Sequence, residues 1–124
     1  YNSKSPNTFV VTYDEGGWIQ SYDKQIVDFR IANTAVEVRG FCASACTMYM
    51  SLPDFCVSPK SRMAFHGSIP LAPGEIKSEG DWMMARHYSP ALREWYYANA
   101  SHLILTFKSL TGQQLHDRFG YRLC

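Results

Sequence analysis

A serine between two alanines is the side chain in this sequence that is best placed to do chemistry. Ser44 lies within residues 40–47 (GFCASACT), where a strand-like stretch gives way to a helical one. Small neighbours let a ligand approach the backbone, and the N–H groups at a helix N-terminus can stabilise a developing oxyanion. The same position also suits a serine that only caps the helix. Ser44 is therefore either a nucleophile or a helix cap.

Two further features of the sequence favour the nucleophile. His66 follows Ser44 by 22 residues at the end of an apolar strand, and Gly16-Gly17 also ends a strand. In a parallel sheet, ligands gather at the carboxyl ends of the strands. A serine, a histidine base and a glycine N–H are the components of an acyl-transfer site. The sequence therefore predicts that these residues meet at one edge of a sheet.

The elements that must position these residues follow the order of a parallel βαβ unit, with helices after it. β-Branched, aromatic and alternating apolar residues predict strands at residues 8–13, 34–39, 55–57 and 62–66. Helices are predicted at residues 18–31, 41–52, 81–110 and 113–119, the third interrupted at Ser89-Pro90 with Ser89 as a cap. This pattern predicts an α/β fold.

Length and composition exclude several classes of protein. The 124 residues suffice for one domain, and 46% apolar with 19% charged residues exclude a disordered chain or a coiled coil. Twelve basic against eleven acidic residues give a net charge of +1, so nucleic acid is not the expected partner. The longest uncharged stretch, residues 40–53, is too short to span a membrane.

The four cysteines favour an oxidising compartment. Two arrangements of disulfides are possible. Either Cys42 pairs with Cys46 and Cys56 with Cys124, or one of Cys42 and Cys46 pairs with Cys56 and the other with Cys124. The N-terminal residues contain no signal peptide, so any leader is expected to have been removed. Free thiols would instead indicate the cytoplasm. Because no C-x-x-C is present, neither a metal nor another cofactor is expected.

The order of these motifs resembles the ClpP/crotonase superfamily, and in particular the small periplasmic ClpP-like proteins with a C-x-S-A-C-T signature. The resemblance rests on Gly16-Gly17, then GFCASACT, then PKSRMAFHG at residues 59–67. It covers residues 8–66 well and continues more weakly to TGQ at residues 111–113. The resemblance implies a spiral of short βαβ units, and a serine peptidase that acts on a peptide or protein substrate.

The resemblance also implies a role for individual residues. Ser44 matches the nucleophile of the family and His66 matches its general base. Gly17 and Ala45 match the two positions whose backbone N–H groups form the oxyanion hole. These four residues are the core of the predicted site.

The third catalytic residue departs from the family pattern. The family's aspartate falls near Tyr121, which has no carboxylate, and Asp117 is the nearest acidic candidate, one helical turn away. The chain also begins later and ends earlier than is usual in the family, so it is either a shortened domain or a piece of a longer protein. Both departures favour an alternative, a non-catalytic ClpP-like binding module. Acyl-CoA chemistry, as in crotonases, is a third hypothesis, although those enzymes need neither Ser44 nor His66.

An aromatic-rich helical segment is either part of the core or an interaction surface. Aromatic residues and methionine are enriched at protein interfaces, and the superfamily commonly forms trimers or rings, so a homo-oligomer is expected. The segment comprises Trp82, Met83, Met84, Tyr88, Trp95, Tyr96 and Tyr97.

Overall fold

The structure is a computed structural model that describes residues 7–124. In that part of the chain a mixed sheet of five strands is surrounded by four α-helices and one 3-10 helix, all in a single small α/β domain. The strands are β1 (Thr8–Asp14), β2 (Ala35–Ala43), β3 (Phe55–Val57), β4 (Arg62–Phe65) and β5 (Lys108–Thr111). The α-helices are α1 (Ile19–Ala32), α2 (Lys77–Ala85), α3 (Pro90–Asn99) and α4 (Gly112–Phe119), and the 3-10 helix is Ser44–Ser51.

The first three elements form the predicted parallel βαβ unit. β1 and β2 pair in parallel, and their register places Asp14 beside Cys42. The apolar side chains of β2 have no exposed surface at Val36 and Val38, because the 3-10 helix packs on β2 and α1 packs on the 3-10 helix. β1 and β2 therefore end side by side.

β2 is the central strand of the sheet and has different neighbours along its length. Its first half pairs in parallel with β3, and its second half pairs in parallel with β4, with Ala43 opposite Ala64. As a result β1, β2 and β4 all end at one edge. Gly16, Ser44 and His66 each follow one of these strand ends.

The predicted limits of two helices are wrong. Residues 41–43 belong to β2 because they pair with β4, so the expected helix begins only at Ser44 and is a 3-10 helix. The helix expected to reach residue 110 ends at Asn99, and residues 108–111 form β5. β5 pairs antiparallel with β4, which makes the sheet mixed. Sheet pairing at a free strand edge has overridden the local helical propensity.

The aromatic-rich segment is divided between the core and the surface. The predicted break is confirmed, since the hydroxyl of Ser89 accepts a hydrogen bond from the Leu92 N–H and Pro90 opens α3. Of the segment's large side chains, Met84, Tyr88 and Tyr96 are buried, and Trp82 and Tyr97 are exposed. Three of the seven side chains are thus covered within the chain and Met83 and Trp95 are half-buried, and assembly of several copies stays a prediction.

All four cysteines are paired in the structure. The disulfides are Cys42–Cys46 and Cys56–Cys124, which is the first of the two arrangements that the sequence allowed. Two disulfides are compatible with an oxidising extracellular or periplasmic location. Within residues 7–124, no helix has the length and apolar character needed to cross a membrane.

Candidate functional site

A cavity of about 380 Å³ opens at the edge where the three parallel strands end. Ser44, His66 and Gly17 all contribute to its wall. Most of the remaining wall is apolar, with large side chains from Trp18, Ile19, Ile69, Leu71, Ile76, Met83 and Met84. Glu75 and Glu79 also line it, and no lysine or arginine is among its lining residues in the described part of the chain. The cavity therefore suits an apolar segment without a strong negative charge.

Ser44 has an unusual backbone conformation at the start of the 3-10 helix. Its φ is 58°, in the left-handed region that few residues other than glycine adopt. The carbonyl oxygen of Ser44 accepts a hydrogen bond of 2.6 Å from the Thr47 hydroxyl. That hydroxyl is 2.6 Å from the hydroxyl of Tyr88, which must therefore be the donor of the second bond. The turn at Ser44 is thus anchored to the buried core.

The Gly16-Gly17 turn lies directly against Ser44. Gly16 has a φ of +90°, and a Cβ atom there would lie 2.8 Å from Ser44 Cβ and 3.0 Å from the Ala45 nitrogen. Asp14 holds this turn, since its Oδ1 accepts hydrogen bonds from the Gly16 N–H at 2.8 Å and from the Tyr22 hydroxyl at 2.7 Å. Gly17 lines the cavity, whereas Ala45 is fully buried and is not among the lining residues, so the structure brings only one of the two predicted oxyanion-hole positions to the cavity wall.

The contacts of His66 determine which of its ring nitrogens can act as a base. Nδ1 is 2.6 Å from the carbonyl oxygen of Gly67, which can only accept a hydrogen bond. In the neutral ring Nδ1 therefore carries the proton, and Nε2 is left able to accept one. The backbone at His66 is fixed as well, because its carbonyl oxygen accepts a bond of 2.9 Å from the Tyr96 hydroxyl.

Two features of an assembled catalytic triad are missing around His66. In the part of the chain that the structure describes, no hydrogen bond joins the Ser44 hydroxyl to the imidazole, and no carboxylate contacts the ring. Asp117 lies instead on the exposed face of α4, where its Oδ1 accepts a bond of 2.9 Å from Gln113. Asp117 is not among the residues that line the cavity. In proteins without a bound substrate, catalytic hydrogen bonds are often longer than in the reacting complex.

The loop between β4 and α2 forms the outer wall of the cavity and is held by two carboxylates. The buried carboxylate of Asp81 accepts a bond of 2.6 Å from the Ser68 N–H and a salt bridge of 2.7 Å from Lys77. At the tip of the loop, the Glu75 carboxylate accepts hydrogen bonds from the N–H groups of Leu71 and Ala72, which lower the pKa of Glu75. Glu75 therefore stays ionised at neutral pH beside the cavity.

Several residues that shape the site were not found from the sequence. Asp14 and Thr47 bond to backbone atoms beside Ser44, and Tyr88 donates a hydrogen bond to the Thr47 hydroxyl. Thr47 could have been recognised, because a threonine three residues after a turn often bonds back to the earlier carbonyl. The pairing of Tyr88 with Thr47 spans 41 residues of sequence, so no local pattern indicates it.

A second group of serine, histidine and aspartate lies at the far end of the 3-10 helix. Ser51 Oγ is 2.9 Å from His87 Nδ1, and His87 Nε2 is 2.9 Å from Asp23 Oδ1. A further bond of 2.6 Å joins Asp23 to Arg86. None of these residues lines the cavity. We name Ser51, His87 and Asp23 the helix clamp, because they connect the 3-10 helix and α1 through the turn that follows α2.

One group of residues has the spacing of a metal site but not its chemistry. Potential ligand atoms of Glu37, Cys56 and Cys124 lie within 4.8 Å of one another. The two sulfurs are bonded to each other, so neither can bind a metal as a thiolate. Of these three residues, only Glu37 therefore keeps a ligand atom for a metal ion.

Comparison with protein-family models finds no family that matches, and comparison with curated proteins finds no significant match.

Proposed function

We propose that this protein is a serine hydrolase of the ClpP/crotonase type that cleaves peptide bonds in a periplasmic or extracellular compartment. The observation that carries the proposal is the shared cavity of Ser44, His66 and Gly17 at the ends of three parallel strands. The left-handed turn at Ser44 supports it, because strained backbone at a polar residue is typical of functional sites. The two disulfides support the proposed compartment.

In the proposed reaction, a substrate carbonyl lies between Ser44 and the backbone of the Gly-Gly turn. The Ser44 oxygen attacks the carbonyl carbon while His66 Nε2 accepts the hydroxyl proton. The N–H groups of Gly17 and Ala45 stabilise the oxyanion. The imidazolium then returns the proton to the leaving amine, and a water molecule hydrolyses the resulting acyl-enzyme by the same route.

The carbonyl of Gly67 supplies part of what an aspartate supplies in a full triad. It accepts the Nδ1 proton and so selects the tautomer with an unprotonated Nε2. A neutral carbonyl stabilises the imidazolium less than a carboxylate does, and loss of the carboxylate lowers the rate about 10⁴-fold in a well-studied triad. We therefore expect a slow hydrolase.

The second candidate is a non-catalytic binding module that uses the same cavity. It is favoured by one observation, the lack of a hydrogen bond between Ser44 and His66 in the described chain. Acyl-CoA chemistry is disfavoured, because the cavity is lined by Glu75 and Glu79 and has no lysine or arginine to bind phosphate groups.

A fluorophosphonate probe distinguishes these candidates, because it reacts with serines that are activated as nucleophiles. We expect the folded protein to be labelled at Ser44, as located by peptide mass spectrometry. Ser44→Ala should abolish labelling, and His66→Ala should slow it roughly 10²–10⁴-fold, the usual contribution of a general base. Asp117→Ala should leave labelling unchanged, because Asp117 is exposed and outside the cavity.

The matched control is Ser51→Ala. Ser51 ends the same 3-10 helix and its hydroxyl contacts His87, but it lies outside the cavity. Labelling should therefore be unchanged in this variant. A folded wild-type protein that stays unlabelled would exclude the hydrolase and leave the binding module.

A further inference from the structure

We propose that the Cys42–Cys46 disulfide positions the nucleophile, so that the reactivity of Ser44 depends on this bridge being intact. The inference rests on the proposed hydrolase function and extends it to the control of the site. It makes Cys42 and Cys46 positioning residues, since neither sulfur lines the cavity.

The bridge closes a short loop with Ser44 at its centre. Cys42 lies two residues before Ser44 and Cys46 two residues after it, and their Cα atoms are 5.4 Å apart. The chain changes direction inside this loop, from β2 to the 3-10 helix, with Ser44 at a φ of 58°. Since a left-handed conformation is unfavourable for serine, the turn needs support from its surroundings.

The two ends of the loop are held differently. Cys42 lies in the sheet with a strand on either side, opposite Asp14 of β1 and Met63 of β4. Cys46 lies in the first turn of the 3-10 helix, whose hydrogen bonds are less favourable than those of an α-helix. The disulfide therefore ties the helical end of the turn to the central strand of the sheet.

The segment between the cysteines carries two of the groups that the proposed reaction uses, the Ser44 hydroxyl and the Ala45 N–H. Ser44 supplies the attacking oxygen, and Ala45 supplies an N–H group in the first turn of the helix, where no acceptor exists within the helix itself. A shift of the helix relative to β2 would move both groups away from the Gly-Gly turn. The bridge restricts this motion directly.

The second disulfide provides a matched comparison. Cys56–Cys124 joins residues 68 apart and ties β3 to the C-terminal residue, and neither cysteine lines the cavity. In the chain-entropy model a bridge over a long loop stabilises the folded protein more than a bridge over a short one. Removal of Cys56–Cys124 should therefore lower the stability of the fold more, and removal of Cys42–Cys46 should lower the reactivity of Ser44 more.

The experiment compares Cys42→Ala/Cys46→Ala with Cys56→Ala/Cys124→Ala, using the fluorophosphonate and the full chain. We expect the first variant to show at least a tenfold lower maximal labelling rate, with an unchanged half-saturating probe concentration because the cavity wall is intact. The second variant should be labelled at the wild-type rate while unfolding at a lower temperature. A purely structural role of Cys42–Cys46 would instead leave the maximal rate of the folded fraction unchanged.

A backbone measurement separates this inference from the proposed function. The three-bond coupling between the amide and α protons of Ser44 reports its φ whether or not the serine is reactive. We expect the coupling to change when Cys42–Cys46 is removed and to stay the same when Cys56–Cys124 is removed. An unlabelled wild-type protein would refute the hydrolase, whereas an unchanged coupling and labelling rate without Cys42–Cys46 would refute the positioning role. If the alanine pair does not fold, Cys42→Val/Cys46→Ala, which refills part of the volume, is measured in its place.

Discussion

Gly16 shows at the scale of one residue how closely the Gly-Gly turn supports Ser44. A Cβ atom at Gly16 would lie 2.7 Å from the Ala43 carbonyl oxygen, and φ is +90°. Gly16→Ala should therefore cost about 1–2 kcal/mol of unfolding free energy for the conformation and another 1–3 kcal/mol for the contact. It should also prevent labelling of Ser44, because the turn must move. Chemical denaturation and fluorophosphonate labelling measure the two effects.

Gly120→Ala is the control for the conformational part of this cost. Gly120 has a φ of +77° at the end of α4, but a Cβ atom there meets nothing within 4 Å. Its substitution should cost only the conformational part, about 1–2 kcal/mol. Equal losses in the two variants would show that the contact between Gly16 and the Ser44 turn is unimportant.

Residue types and strand ends predicted that Ser44, His66 and Gly17 line one cavity, but not that Ala45 lies outside its wall. Ser44, His66 and Gly17 follow strands whose apolar patterns are clear, so their shared edge could be inferred before the structure. The position of Asp117 depended instead on the path of the chain after residue 99. That path is determined by the pairing of β5 with β4, which local sequence does not encode.

The helix clamp joins the 3-10 helix to α1 through His87, and the protonation of His87 should make the stability of the protein depend on pH. Burial lowers the pKa of His87, and the neighbouring Arg86 and Arg30 lower it further, whereas Asp23 raises it. The folded chain therefore binds a proton at His87 less readily than the unfolded chain, whose histidines have a pKa of about 6.5. Stability should be fully present above that value and fall as the pH is lowered, by at most about 1.4 kcal/mol per pH unit.

The measurement is the free energy of unfolding between about pH 7 and 5, the range in which a histidine titrates. His87→Gln should flatten the pH dependence, because it removes the titrating group. His102→Gln is the control, since His102 is exposed and outside the clamp, and it should leave the slope unchanged. A wild-type slope that survives in His87→Gln would contradict this account.

Elements with their own periodicity were predicted well, and those determined by tertiary pairing were not. β1, α1 and β3 lie within a residue or two of their predicted limits. The 3-10 helix was expected to be longer and α-helical, but its first three predicted residues pair with β4 and Cys46 is bonded back to β2. Small apolar residues such as those of positions 41–46 fit both a buried strand and a buried helix, so their pattern could not decide.

At the scale of the whole molecule, the two disulfides should contribute unequally to stability. In the chain-entropy model, a bridge over a separation of 68 contributes about 4 kcal/mol and one over a separation of 4 about 2 kcal/mol. Denaturation by guanidinium should thus show a larger loss for Cys56→Ala/Cys124→Ala than for Cys42→Ala/Cys46→Ala. The intact mass of the wild-type chain should first be confirmed to lie about four hydrogens below that of the reduced chain, two for each bridge. If removal of Cys42–Cys46 is the more destabilising change, this short bridge supports the fold as a whole, because it fastens the central strand β2 to the 3-10 helix that covers it.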